Sequence, residues 1–216
     1  PVASHCPDGT PKEEVVKMSL LDTLTQQLGA GAVQNLSRQL GADEGATGKA
    51  LSAALPLLMG ALSRNASSSD GANALARAVD RDHDGGILDD IPGFMKNFQG
   101  PEGEGILRHV LGNRQGAVEA GISRTSGLDA GSVTKLLAMA APLVMGALGR
   151  AKKTSGMDAG ALSQMLGAES QRVEQAAPGA GGMLASLLDQ DGDGQVADDV
   201  ANIGMNLLGK FLGGKK

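Results

Sequence analysis

Pro56-Leu-Leu-Met-Gly-Ala-Leu-Ser-Arg64 returns 86 positions later as Pro142-Leu-Val-Met-Gly-Ala-Leu-Gly-Arg150, with seven of nine residues identical. Working outward, the same offset pairs Lys49 with Lys135, Asp43 with Asp129, Gly41 with Gly127, Arg38 with Arg124 and Leu36 with Ile122. A repeat on this scale predicts two copies of one structural unit, and it sets the architecture before any single element is assigned. Farther along, Asp80-Arg-Asp-His-Asp-Gly-Gly-Ile-Leu-Asp-Asp90 returns as Asp189-Gln-Asp-Gly-Asp-Gly-Gln-Val-Ala-Asp-Asp199. The offset has grown to 109, so 23 residues are inserted in the second half after Arg150.

Composition says what the units are made of. The 216 residues are 41% hydrophobic, enough for a core, yet there is no Trp, no Tyr and only Phe94, Phe98 and Phe211. The core must come from Ala, Leu, Val and Met, which mostly favour helices, while the residues that strands prefer are scarce. The expected class is all-α: an internally duplicated helical bundle, with residues 18–100 as the first repeat and 101–216 as the second. Many of the 33 glycines fall between apolar segments, where they end helices.

Each half reads in the same order. Short helices at about Leu20–Leu28 and Ala32–Leu40, or Ile106–Leu111 and Gly116–Thr125, precede a longer apolar helix at about Ala46–Arg64 or Ala130–Lys152. Pro56 and Pro142 interrupt these long helices, remove a backbone hydrogen bond and predict a bend. The insertion adds one or two helices, Asp158–Leu166 and Glu169–Ala177. Each half closes with helix, acidic loop, helix: Leu75 and Val79 lead in and Ile91, Phe94, Met95 and Phe98 lead out at helical spacing, as do Leu184, Leu188, Val200, Ile203, Leu207, Leu208 and Phe211.

Ten of the 24 acidic residues sit in the two loops. Calcium takes six to eight oxygens, and a helix–loop–helix loop offers them from alternate positions. Positions 1, 3 and 5 are Asp80, Asp82 and Asp84, or Asp189, Asp191 and Asp193. Gly85 and Gly194 at position 6 allow the sharp turn. Gly86 and Gln195 at position 7 offer a backbone carbonyl, and Ile87 and Val196 at position 8 tuck against the helices. Position 12, ordinarily a bidentate Glu, is Ile91 or Val200. The loop is therefore read as shortened, with Asp90 and Asp199 bidentate and Asp89 and Asp198 capping the exit helix, the two roles being exchangeable. The expected cofactor is Ca2+, two ions, one per repeat, with magnesium the weaker alternative.

Other features point away from chemistry. His5, His83 and His109 do not cluster, and His83 at loop position 4 is expected to face solvent. Met59, Met139, Met145, Met183 and Met205 read as core filling. The single Cys6 excludes an intramolecular disulfide. No basic stripe with interleaved aromatics exists, so nucleic acid is not an expected partner. Residues 1–17 read as a leader or an expression remnant without an export signal, and the expected compartment is cytoplasmic. The longest apolar run, Leu136–Leu148, is 13 residues, short for a bilayer span. The end of the chain, Leu207-Leu-Gly-Lys-Phe-Leu-Gly-Gly-Lys-Lys216, resembles a membrane-surface peptide but is expected to dock on its own domain.

Gly121-Ile-Ser-Arg-Thr-Ser-Gly-Leu-Asp129, Leu136–Leu148, Ser155-Gly-Met-Asp-Ala-Gly-Ala-Leu-Ser-Gln-Met-Leu166 and the loop Asp189–Asp199 together resemble the bacterial domain-of-unknown-function family 937, the YidB-like proteins. The resemblance implies a bacterial, helical protein and brings no activity. The expected function is a non-enzymatic calcium-binding protein with structural ions. The alternative is a calcium-responsive interaction module for a protein partner or a membrane surface.

Overall fold

The computed structural model describes residues 19–176. Among them the protein is all-helical, with eight α-helices, two short 3-10 turns and no strand. The elements run α1 (Leu20–Leu40), α2 (Glu44–Asn65), α3 (Ser69–Asp82), a 3-10 turn (Gly86–Asp89), α4 (Ile91–Asn97), α5 (Pro101–Leu111), a second 3-10 turn (Gly112–Arg114), α6 (Gln115–Ser126), α7 (Ala130–Ser155) and α8 (Ala159–Ala176).

Helix starts follow the capping chemistry of the sequence. Ser19, Asp43, Ser68, Asp90 and Asp129 each accept a hydrogen bond from a backbone N–H in the first turn of the helix they open. That satisfies a donor the helix itself leaves free. Gly41, Gly127 and Gly156 end α1, α6 and α7 in the left-handed conformation.

The repeated nine-residue segment lies in α2 and in α7, and these two helices form the centre. α2 packs against α1, α5, α6, α7 and α8; α7 packs against α1, α2, α3, α5, α6 and the first 3-10 turn. From Leu136 to Gly149 every residue of α7 is buried, Pro142 included. A helix apolar on all sides belongs inside a bundle. Met59, Met139 and Met145 are buried there, as expected of core filling. Close approach depends on small residues. A Cβ on Gly103 of α5 would lie 1.9 Å from the carbonyl oxygen of Ala138, so α5 rests on the α7 backbone.

Several sequence expectations need correction. The two short helices expected at Leu20–Leu28 and Ala32–Leu40 are one helix, because Leu24, Leu28, Ala32 and Leu36 continue a single buried stripe across Gly29 and Gly31. In the second half the break is real, with Gly112 at φ 54°. Of the one or two helices expected in the insertion, the described part has one continuous helix, α8, with Leu162 and Leu166 wholly buried and Ser163 Oγ donating to the Ala66 carbonyl. Phe98 falls just beyond α4 in extended conformation, where its ring meets Phe94 edge-on, centroids 5.5 Å apart. By length and composition both α2 and α7 are able to cross a membrane, contrary to the 13-residue estimate. The most apolar window of α7 is 78% buried among other helices, the surroundings of a core helix.

Candidate metal centre

The first acidic loop lies between α3 and α4. α3 ends at Asp82, and His83 N–H still donates to the Val79 carbonyl. The chain then turns through Gly85 at φ 98°, a conformation that residues with a Cβ rarely adopt, and enters the 3-10 turn. Asp84 steadies the corner by accepting from Gly86 N–H at 3.0 Å. Leu88 is buried under the turn, and Ile91 begins α4 from a buried position.

The loop lies directly on α7. A Cβ on Gly149 would meet the His83 carbonyl oxygen at 1.7 Å, and one on Gly146 would meet Ile87 Cγ2 at 2.4 Å. A Cβ on Gly85 would come within 2.8 Å of Arg150 Cβ. Backbone and helix are therefore in contact with no side chain between them. Just beyond, α7 ends in Arg150-Ala-Lys-Lys153, and these cations meet the loop's carboxylates. Lys152 Nζ is 2.6 Å from Asp80. Arg150 donates to Asp89 and, at 2.7 Å, to the Gly85 carbonyl. Lys153 Nζ stands 3.9 Å from Asp84.

The structure thus distributes the candidate ligands rather than gathering them. Asp80 faces Lys152, and Asp82 pairs with its neighbour Arg81 at 2.7 Å. The hydrogen bond from Arg81 holds the Asp82 carboxyl below its usual range. Asp84 closes its own turn, and Gly86 opens the 3-10 turn. Among the described residues no three His, Cys, Asp or Glu side chains converge as a metal set. Asp90, not Asp89, caps α4, its Oδ1 accepting from Gly93 N–H at 2.9 Å. This corrects the expected order of the two: Asp90 directly precedes the helix, whereas Asp89 lies in the 3-10 turn and reaches Arg150. Asp189, Asp191, Asp193, Gln195, Asp198 and Asp199 lie outside the described residues, as do Met183, Met205 and Phe211.

His83 does not face solvent as its loop position suggested. Its side chain is 8% exposed, because the carbonyl contact with Gly149 turns this residue inward. Burial holds its pKa below the ordinary value, partly opposed by Glu102, whose carboxylate is 4.0 Å from Nδ1. His83 and His109, unrelated in sequence, line one cleft of about 740 Å³ with Glu102, Arg81 and Asp82 at its rim and Leu62, Leu75, Ile106 and Met145 deeper in. Sequence reasoning missed both this cleft and the α7 partners. The signal for the partners was present: Gly146 and Gly149, three apart, are followed by the basic run Arg150-Ala-Lys-Lys153, opposite in charge to the acidic loop.

Residues 22–151 match the family described as a bacterial protein of unknown function, DUF937. The chain belongs to this family. The matched DUF937 region runs from the start of α1 through α7 as far as Ala151, so it contains the first acidic loop and most of the helix beneath it, and stops just before Lys152 and Lys153. No curated protein and no solved structure matches the chain.

Proposed function

We propose that this DUF937 protein is a non-enzymatic calcium-binding protein, in which the loops at 80–90 and 189–199 each take one ion and brace a helix–loop–helix corner of a duplicated scaffold. The observation that carries the reading is the turn at Gly85. It is a left-handed glycine at position 6, between two helices, with Asp80, Asp82 and Asp84 exposed on the solvent side. Hard divalent cations are bound by such alternate carboxylates and a following backbone carbonyl, here that of Gly86. Because Asp90 serves as the cap, Asp89 is the residue we assign to close the coordination sphere. The duplication is supported by α2 and α7, which share the repeated segment, the capping aspartates Asp43 and Asp129, and a central position. The YidB-like grouping adds no activity to this reading.

Isothermal titration with calcium tests it directly. Two ions should bind the full chain, Asp84→Ala should remove one and Asp193→Ala the other. Absence of calcium-dependent heat at millimolar ion would end the proposal. A second reading, a calcium-responsive interaction module, is favoured by one observation: the cleft beside α3 is lined by Asp82 and the buried His83, both residues of the loop, so movement of the loop would reshape it. A hydrophobic dye whose fluorescence rises on calcium addition would support this second reading.

A further inference from the structure

We infer that the basic end of α7 is a built-in competitor for the ion at the first loop, an inference that rests on the calcium reading above. A bound divalent cation and Lys152 demand the same carboxylate. Calcium sits roughly 2.3–2.6 Å from its oxygens, and the Lys152 ammonium already stands 2.6 Å from Asp80 Oδ1. Two cations sharing one carboxylate repel each other, so the ion binds by exchange. The Lys152 side chain is only 15% exposed, which makes this pairing a specific seat rather than a passing surface contact.

The exchange involves more than one group. Arg150 ties Asp89 and the Gly85 carbonyl together, and Lys153 stands opposite Asp84. Three of the loop's candidate ligands, Asp80, Asp84 and Asp89, are thus matched to cations on one helical end, while Asp82 pairs with Arg81. Ion binding transfers these oxygens from ammonium and guanidinium to calcium and frees the α7 side chains. The affinity of the loop is then set by α7 as well as by its own carboxylates, and exposure of the Lys152 amine reports occupancy.

The test uses the full chain and calcium alone. Acetylation of Lys152 by an amine-reactive ester, followed by mass spectrometry, should speed up several-fold on adding calcium. Exposed Lys135, remote from the loop in sequence and carried near the start of α7, should be unaffected. In calorimetry Lys152→Met should bind calcium at this loop at least about threefold tighter than the parent, as loss of one competing ion pair implies. If calcium binds at this loop while Lys152 labelling stays constant or slows, the competition is refuted and the calcium reading survives. If calcium releases no heat with either protein, the calcium reading fails and takes this inference with it.

Discussion

Replacing Gly149 with Ala tests the contact on which the loop's position depends. In an exposed helix interior the change would stabilise the protein by roughly 1 kcal/mol, since Ala is the better helix former. Here the new methyl would lie 1.7 Å from the His83 carbonyl oxygen, 2.9 Å from its carbon and 3.2 Å from the Asp84 carbonyl carbon. All three are backbone atoms, so no rotamer change relieves the clash, and loop and helix must separate by more than an ångström. That separation breaks the 2.7 Å hydrogen bond from Arg150 to Gly85 and strains the Lys152–Asp80 pair. A hydrogen bond from a charged donor contributes about 1.5–3 kcal/mol, and partly exposed ion pairs rather less. With the helix gain subtracted, a net loss of about 1–3 kcal/mol is expected. For a folded region of this size each kcal/mol moves the melting temperature by roughly 2–4 °C. Gly146→Ala is the matched comparison. Its methyl would meet only Ile87 Cγ2, the end of a half-buried side chain able to turn aside, so the helix gain should roughly cancel the crowding. Circular dichroism melts of both variants decide the matter. A Gly149→Ala protein as stable as the parent, or more so, would refute the close approach of loop and helix.

Chelation of calcium should lower the melting temperature, because an ion that binds only the folded chain stabilises it by about 2.7 kcal/mol at a hundredfold excess over Kd; coincident melts with the ion demonstrably bound and removed would count against a structural role. Leu137→Ala, at a wholly buried position of α7, should destabilise by roughly 2–5 kcal/mol in urea titrations, whereas a surface helix would scarcely respond. Asp129 accepts from both the hydroxyl and the amide of Ser132, and these bonds hold its pKa below the ordinary value. The folded state therefore binds fewer protons there, so this contribution is present above the unfolded pKa of about 3.9 and lost as pH falls through the folded value. Urea titrations of Asp129→Asn, which keeps a capping oxygen, should show a shallower loss of stability below about pH 4 than the parent.

Much of the fold could be read from residue pattern alone. Composition excluded strands, the apolar segments placed α2 and α7 to within a few residues of their observed ends, and glycines between those segments, Gly41 and Gly127 among them, fell where helices end. These are local signals, and local chemistry decides them. What could not be read so directly was tertiary. The continuity of α1 across Gly29 and Gly31 depends on a buried stripe meeting α2 and α7, which outweighs the weak helix preference of glycine. The inward turn of His83 and the transfer of the cap to Asp90 follow from where α7 lies, some 60 residues later in the chain. Loop numbering borrowed from a general calcium motif assigns side chains relative to an ion; it carries no information about a helix pressed against the opposite face.

The one difference near the end of the repeated segment bears on this point. The first half has Ser63 where the second has Gly149, and Gly149 is the residue whose missing side chain lets the first loop touch a helix backbone. Gly60 and Gly146, by contrast, are alike, as are Arg64 and Arg150. The two halves therefore keep the arginine and one glycine while differing at the contact that tolerates no Cβ. On the competition proposed above, the closeness of the first loop to the basic end of α7 bears on its calcium affinity alongside its own aspartates. Gly149→Ser writes the first half's residue into the second. It should weaken the hold of α7 on the first loop and raise that loop's calcium affinity, while leaving Asp80, Asp82 and Asp84 untouched. Calorimetry on Gly149→Ser in an Asp193→Ala background isolates the first loop. An affinity equal to or weaker than that of Asp193→Ala alone would show that the helix contact does not govern the ion.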